Sequence, residues 1–352
     1  MKDAFPIHGK LVGRGGRCFV IAEAGSNHNG SLDVAKKLVE VAAKAGADAV
    51  KFQTFRASRL YPKTAGTSDY LGTDTPIFDL IQAMEMPEAW LPEIRDLAHA
   101  HGLAFISSPF HEEAVAILDP YVDAFKIASY ELTHQPLLQE VARRNKPVLL
   151  STGASDLEET RRAVSVLEEA GCRELVVLQC TASYPTPLDA ANVRALVTLR
   201  DELSIPTGLS DHTRDPVVAP SAAVALGAAV IEKHFTLSNE LPGPDHAFAV
   251  EPAELARLVR RVRETEQVLG TGLKAVQGVE QELRHFARRS IFTTMEVKAG
   301  ERFGRHNVDV LRRGKLATGL DPSELPRVLA AVAAKDLAAE VPLEESDLQR
   351  IE

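Results

Sequence analysis

Between Phe19 and Leu269 the sequence alternates eight times between a short apolar run of β type and a stretch with helical periodicity. The runs are Phe19–Ala22, Asp48–Gln53, Leu103–Ser108, Ala124–Ile127, Pro147–Leu150, Leu175–Leu178, Pro206–Leu209 and Ala229–Glu232. After the first run, Ser31 stands where a helix cap is needed, and Leu32, Ala35, Leu38, Val39 and Ala42 keep a helical period up to Gly46. Later helical stretches are Ile77–Ala83, Pro87–Ala100, His111–Leu118, Gln135–Arg144, Leu157–Ala170, Asn192–Leu203, Val217–Ala228 and Pro252–Leu269. A polar excursion, about 56–75, carries Tyr61, Pro62, Gly66 and Gly72. Eight strands alternating with helices over about 250 residues are the size and order of a (β/α)8 TIM barrel. The competing architecture is a doubly wound open sheet, but no Gly-rich dinucleotide loop follows the first run.

The pattern changes after Gly270. Thr271–Arg284 reads as a charged linker or helix, and strand-like runs follow at Ile291–Thr294 and Val308–Leu311. Ser323–Val332 and Glu344–Glu352 are short and polar-flanked. The expected organisation is a barrel over 1–270, a linker over 271–287 and a small β-rich domain over 288–352. A domain of that size is small enough to need a partner surface for its core.

The 352 residues are 45% hydrophobic and 25% charged, ordinary for a soluble globular protein. A net charge of −9 argues against a general nucleic-acid surface. Cys18, Cys172 and Cys180 are widely spaced and suggest neither a disulfide framework nor a zinc knuckle. MKDAFPIHGK has no apolar core of the kind a signal peptide needs. The longest apolar segment, Val217–Ile231, is too short to span a bilayer. The expectation is a cytoplasmic enzyme that engages neither membrane nor nucleic acid.

In such a barrel the active site lies at the C-terminal ends of the strands. Those positions hold Glu23, Lys51, Gln53, Ser108, Lys126, Ser129, Glu131 and Ser151, then Tyr184, Ser210, His212, Glu232, Lys233 and His234. Polar residues at every strand end are hard to explain as packing. Lys51 and Lys126 close apolar strands, where an ammonium needs an anion; a structural ion pair with a glutamate is the bland use of each. Ser108, Ser129, Ser151 and Ser210 are short hydroxyl donors suited to phosphate or carboxylate oxygens. His212 and His234, on neighbouring strands, could share a divalent metal and leave positions open to water or substrate. Two core histidines are the bland alternative. Glu23, Glu131 and Glu232 suit proton transfer or a grip on sugar hydroxyls, and Glu232 could instead orient a ligand histidine. Tyr184, before Pro185-Thr186-Pro187, either presents its hydroxyl to substrate or packs at the rim.

The ordered motifs IAEAGSNHNG (21–30), GADAVKFQT (46–54), ISSPF (106–110), KIASYE (126–131), LLSTG (149–153), CTASYPTP (180–187), GLSDHT (208–213), VIEKHF (230–235) and GPDHAF (243–248) resemble the sialic acid synthase family over essentially the whole chain. The segment from RRSIFTTMEVKAGERF onward is similar to the antifreeze-like (SAF) domain that ends these enzymes. The resemblance implies a metal-dependent condensation of phosphoenolpyruvate with N-acetylmannosamine or a related N-acylated hexosamine, with C–O cleavage and release of phosphate. It assigns the metal to His212 and His234, with Mn2+ the expected ion and Mg2+ or Co2+ as alternatives. Phosphoenolpyruvate contacts fall on Lys51, Ser108, Lys126, Ser129, Ser151 and Ser210, and sugar contacts on Glu23, Gln53, Tyr184 and Asp245. Glu131 matches an acidic residue that handles the water or proton. A domain-swapped homodimer is implied, in which an arginine of one C-terminal domain, here Arg312, reaches the sugar in the other barrel.

Two departures qualify the resemblance. Arg312-Arg313-Gly314 stands where the family has arginine before Pro-Gly, and Ala182 where some members have asparagine. KIASYE and ISSPF lean towards pseudaminate synthases; GPDHAF leans towards the neuraminate and legionaminate branches. The rival readings are a Schiff-base aldolase using Lys51, Lys126 or Lys233 and a non-catalytic sugar-acid binding protein.

Overall fold

A computed structural model describes residues 1–68 and 74–350. Gly72 of the polar excursion, and Ile351 and Glu352, lie outside the described residues. The chain divides into two compact units, Met1–Gly270 and Thr271–Glu352.

The first unit opens with an antiparallel hairpin, β1 (Ala4–Ile7) and β2 (Lys10–Gly13), which the sequence reading missed. Its two-residue turn, His8-Gly9, has positive φ at both positions (46° and 75°), the geometry that matches hairpin twist. Eight parallel strands follow: β3 (Phe19–Gly25), β4 (Ala49–Thr54), β5 (Ala104–Pro109), β6 (Ala124–Ile127), β7 (Val148–Ser151), β8 (Leu175–Cys180), β9 (Thr207–Asp211) and β10 (Val230–His234). They close into a barrel in chain order, with β10 pairing β3. The TIM-barrel fold expected from the sequence is therefore present.

Alternation along each strand separates two cores. Ile21, Ala49, Ile106, Ala124, Leu149, Leu178 and Val230 point into the lumen, where Phe5, Ile7 and Val12 of the hairpin join them as a plug. The opposite faces carry Val50, Phe52, Phe105, Phe125, Leu150 and Val177 against the helical layer. Helix α1 (Leu32–Ala45) shows why the sequence pattern was readable: Ser31 caps it, accepting from the Val34 N–H, and Gly46 ends it at φ 81°. The layer continues with α2 (Ala57–Leu60), α3 (Ile77–Ala83), α4 (Leu91–Ala100), α5 (Glu112–Leu118), α6 (Gln135–Ala142), α7 (Leu157–Glu169), α8 (Ala195–Leu203), α9 (Val218–Ala225) and α10 (Pro252–Leu269).

Seven of the eight strands run further towards their C-termini than their apolar runs suggested. Glu23, Cys180, Ser210, Asp211 and His234 are strand residues because a neighbouring strand pairs with them, as in His234 with Glu23 and Cys180 with Ser210. Backbone pairing in a closed barrel overrides the low β propensity of charged side chains.

The second unit starts with α11 (Gln281–Ala287), a helix in the stretch read as linker or helix. Two antiparallel pairs follow, β11 (Arg289–Thr293) with β12 (Val308–Arg312), and β13 (Ala331–Ala333) with β14 (Leu348–Arg350). Helix α12 (Leu325–Leu329) lies between the pairs in the chain. Ile291, Val297, Phe303, Val308, Val328 and Leu343 form its core. No helix among the described residues is long and apolar enough to cross a membrane.

Candidate active site

The period of two that fills the lumen also builds its mouth. One step above each apolar lumen residue stands a polar one: Glu23 above Ile21, Lys51 above Ala49, Ser108 above Ile106, Lys126 above Ala124, Ser151 above Leu149, Cys180 above Leu178 and Glu232 above Val230. Glu23, Lys51, Gln53, Ser108, Lys126, Ser129, Ser151, Tyr184, Ser210, His212, Glu232, His234 and Asp245 all line one cleft of about 780 Å3. Arg312, at the end of β12, belongs to the second unit.

The floor of the cleft is a linked set of charges. Lys51 Nζ lies 2.9 Å from Glu23 Oε2 and 3.8 Å from Glu232 Oε1. Lys126 Nζ lies 3.7 Å from the same Glu232 oxygen and donates to Ser151 Oγ at 2.6 Å and the Ile127 carbonyl at 3.1 Å. Gln53 donates to Glu23 Oε1 at 2.8 Å, Ser210 Oγ donates to Glu232 Oε1 at 3.1 Å, and Lys51 donates weakly to Ser108 Oγ at 3.4 Å. Glu232 is thus the shared counter-ion of two ammonium groups and has no hydrogen bond to either histidine among the described residues.

Environment pushes these groups apart. Burial lowers the Lys126 pKa, with Glu232 opposing and Lys51 adding to the fall. Burial also pulls Lys51 down, but Glu23 and Glu232 more than offset it and the net shift is upward. Against the upward push of burial, Lys126 and Lys51 hold Glu232 below its ordinary range, whereas burial raises Glu23. The ring therefore favours an ionised Glu232 beside a more easily protonated Glu23. Carboxyl groups whose environments shift them in opposite directions are a pattern suited to acid–base chemistry.

Ser129 does something the sequence did not suggest. Its Oγ accepts from the Gly153 N–H at 3.0 Å and donates to Cys180 Sγ at 3.5 Å. A Cβ at Gly153 would meet Ser129 Oγ at 2.8 Å, so only glycine keeps this approach.

His212 and His234 face each other with ring centroids 5.3 Å apart. His212 Nδ1–H donates to the Thr181 carbonyl at 3.0 Å, which leaves Nε2 as the nitrogen that could take a metal. His234 Nδ1 is buried without a hydrogen-bond partner, 3.7 Å from Asp245 Oδ2. Burial, then His212, Lys51 and Lys126, press its pKa well below the usual value, so the ring is neutral. A neutral imidazole with an orphaned buried nitrogen fits a divalent metal. A metal held by these two histidines would have its remaining positions open to water and substrate. The one His/Cys/Asp/Glu trio with mutually close ligand atoms among the described residues is elsewhere: His8, His99 and Asp123, by the N-terminal ends of the strands.

Around this floor stand the remaining candidates. Glu131 is buried, its Oε2 lacks a hydrogen-bond partner, and desolvation pushes its pKa up to about 7. Asp245 is pushed up to about 6 by burial and by Glu23. The Tyr184 ring stacks on His212 at 4.2 Å and packs against Phe248 at 5.1 Å, so it serves as a wall of the histidine pocket.

Lys233 points the other way. It pairs with Asp211 at 2.6 Å on the helix-facing side of the sheet and also donates to Thr213 Oγ1 and the Asp215 carbonyl. Strict alternation with Glu232 and His234 would have revealed this from the sequence, and it removes Lys233 as a Schiff-base nucleophile. Sequence reading also missed Cys180 in the lumen, 3.7 Å from His212 Nδ1, and the apolar cleft wall on α3. In the second unit Arg313 is tied to the His285 carbonyl, His285 Nδ1 and Thr318, while the exposed side chain of Arg312 has no hydrogen bond or ion pair among the described residues.

Comparison with known proteins places this geometry. The chain is 39% identical to the spore coat polysaccharide biosynthesis protein SpsE of Bacillus subtilis, over 98% of this chain and 97% of that protein. It is likewise 39% identical to the N,N'-diacetyllegionaminic acid synthase of Legionella pneumophila, over 92% of each. Its structure is similar to that of N-acetylneuraminic acid synthetase from Leptospira borgpetersenii in complex with citrate, with TM-score 0.72 and 30% identity over 81% of this chain and 96% of that one. The NeuB family model matches residues 38–274, and with these relatives spanning nearly the full length, the chain belongs to the NeuB family.

Proposed function

We propose that this chain is a nonulosonic acid synthase, joining phosphoenolpyruvate to the open-chain aldehyde of an N-acylated hexosamine and releasing phosphate. The observation that carries the reading is the pair of buried ammonium groups, Lys51 and Lys126, on either side of Glu232 Oε1 at the floor of one cleft. Lys126 has its sole carboxylate partner among the described residues at 3.7 Å, a loose arrangement for a buried cation. A multiply charged anion there completes the charge balance. The names of the relatives, a legionaminic acid synthase and an N-acetylneuraminic acid synthetase, support the same class.

In this reading Lys51, Lys126, Ser108 and Ser151 hold the phosphate and carboxylate of phosphoenolpyruvate, a preorganised electrostatic role. Ser129 orients the Gly153 backbone, and Ser210 fixes Glu232. Glu23, Gln53 and Asp245 grip the sugar. A divalent cation held by His212 and His234, Mn2+ by expectation, would supply Lewis-acid polarisation of the aldehyde when bound. C3 of phosphoenolpyruvate forms the bond to the sugar carbon, water adds at C2, and phosphate departs with the bridging oxygen. Glu131, with its pKa near neutrality, takes the proton from that water. Arg312, exposed and uncommitted, is the arginine offered to a partner barrel in a homodimer. The C-terminal unit is read as an SAF domain, and the enzyme as cytoplasmic.

Incubation with phosphoenolpyruvate and N-acetylmannosamine or a 2,4-diacetamido-trideoxyhexose, with Mn2+ or with EDTA, tests this. Phosphate release that requires both a sugar and the metal is expected. Release without sugar, or a substrate adduct trapped by borohydride on Lys126, would replace the synthase with a phosphatase or Schiff-base aldolase.

A further inference from the structure

Three side chains that the cleft does not use converge at the opposite ends of the barrel strands. His8 sits in the turn of the β1–β2 hairpin, His99 in the last turn of α4, and Asp123 directly before β6. Segments far apart in sequence thus meet at one point. His99 Nε2 lies 2.9 Å from Asp123 Oδ2, and His8 Nδ1 lies 3.4 Å from Asp123 Oδ1. The two imidazoles have centroids 4.4 Å apart and planes inclined by 31°. One ligand atom from each residue falls within 4.8 Å of the other two. Donors around a tetrahedral Zn2+ stand roughly 3.3 Å apart, so small side-chain rotations would let this cluster close on one.

Two features separate the cluster from an ordinary contact between histidine and carboxylate. Asp123 has a side chain only 18% exposed, yet no lysine or arginine pairs with it among the described residues; its charged partners are the two imidazoles. Its Oδ2 accepts from the Phe105 N–H at 2.7 Å and meets His99, whereas Oδ1 faces His8 with no hydrogen bond among the described residues. The second feature is the residue at position 8. His8 has φ 46°, a turn position that asparagine or glycine fills more readily. An imidazole there carries a backbone cost that the hairpin itself does not require.

We propose that His8, His99 and Asp123 form a second divalent-metal site, of the zinc class, that staples the hairpin plug to the underside of the barrel. Two imidazoles and a carboxylate suit Zn2+ better than Mg2+ or Ca2+, and the partly exposed rim leaves a fourth position to water. The Phe105 N–H holds Oδ2 and so presents Oδ1 to the metal. Phe5 and Ile7, leading into the turn, fill the lumen, so the metal holds the barrel floor in place. This site is independent of the synthase reading.

The test titrates Zn2+ by calorimetry into protein carrying His212→Gln and His234→Gln, which removes the histidine ligands of the cleft. One bound Zn2+ per chain is expected, and Zn2+ at about 100 times Kd should raise Tm by about 5–10 °C. Adding His8→Asn should weaken Zn2+ binding by about 100-fold or more. The same change should leave the metal-free Tm equal or higher, because Asn-Gly is a favoured two-residue hairpin turn. His99→Gln should weaken binding likewise. In the chain with its cleft histidines intact, His8→Asn should remove one bound Zn2+ whatever the cleft holds. Absence of Zn2+ binding to the double variant, or binding and a Tm rise that survive both His8→Asn and His99→Gln, overturns the proposal and leaves Asp123 as an acceptor for imidazole N–H groups.

Discussion

Replacing Glu131 by glutamine separates the cost of this residue from its use. The carboxyl is raised from 4.5 to about 7, chiefly by burial, and its Oε2 finds no hydrogen-bond partner. At about 1.4 kcal/mol per pKa unit, ionising Glu131 costs the native state up to about 3 kcal/mol. The sign follows from the raised value. The folded form keeps its proton while the unfolded form loses it, so the stabilising contribution is full below about 4.5 and falls away as pH rises towards about 7. Glu131→Gln carries no such dependence. Urea unfolding should show the variant close to wild type near pH 5 and more stable at pH 8, by about 1–3 kcal/mol once imperfect pairing of the buried amide is counted. In the same samples kcat should fall by about 100-fold, with little change in KM. A variant that is less stable at pH 8, or whose stability difference is flat with pH, would refute the argument that Glu131 is a strained, desolvated acid.

Three other perturbations follow from the floor and its surroundings. Lys126→Met should lower kcat/KM for phosphoenolpyruvate by about 100-fold or more without loss of stability, measured by steady-state kinetics and thermal melting, because removing a loosely paired ammonium relieves its desolvation. Lys233→Met leaves Asp211 buried and unpaired; it should destabilise by about 3–5 kcal/mol in urea, yet keep kcat per folded molecule. His234→Gln should weaken Mn2+ binding, read directly by calorimetry, and abolish metal-dependent phosphate release; unchanged affinity would move the metal elsewhere.

The barrel was legible because its signals are local. Ser31, Gly46, Gly102 and the apolar runs each announce a boundary within a few residues, and Ile77–Ala83 and Pro252–Leu269 fall where their periodicity places them. Strand ends were less legible, since Asp211 and His234 are held in β conformation by neighbours distant in sequence. The hairpin at Ala4–Gly13 carries an alternating pattern around His8-Gly9, but two four-residue strands are weak signals until a barrel floor exists for Phe5 and Ile7 to plug. Among the candidate residues, chemistry alone could not tell Lys233 from Lys51. The sheet's two faces do, and the period of two held that distinction in the sequence. The roles of Glu232 as a shared counter-ion and of Ser129 as a bridge between Gly153 and Cys180 depend on contacts across strands, which no single stretch encodes. The ties that hold Arg313 to His285, and leave the Arg312 side chain without them, likewise depend on contacts distant in sequence.

The central claim is condensation with loss of phosphate by C–O cleavage. Phosphoenolpyruvate labelled with heavy oxygen at the bridge between C2 and phosphorus tests it in one reaction with an N-acylated hexosamine. The account predicts a condensed acid without the label, of mass equal to the two substrates plus water minus phosphate, and one heavy oxygen in the released phosphate. Label retained in the organic product, or pyruvate in place of a condensed acid, would contradict it.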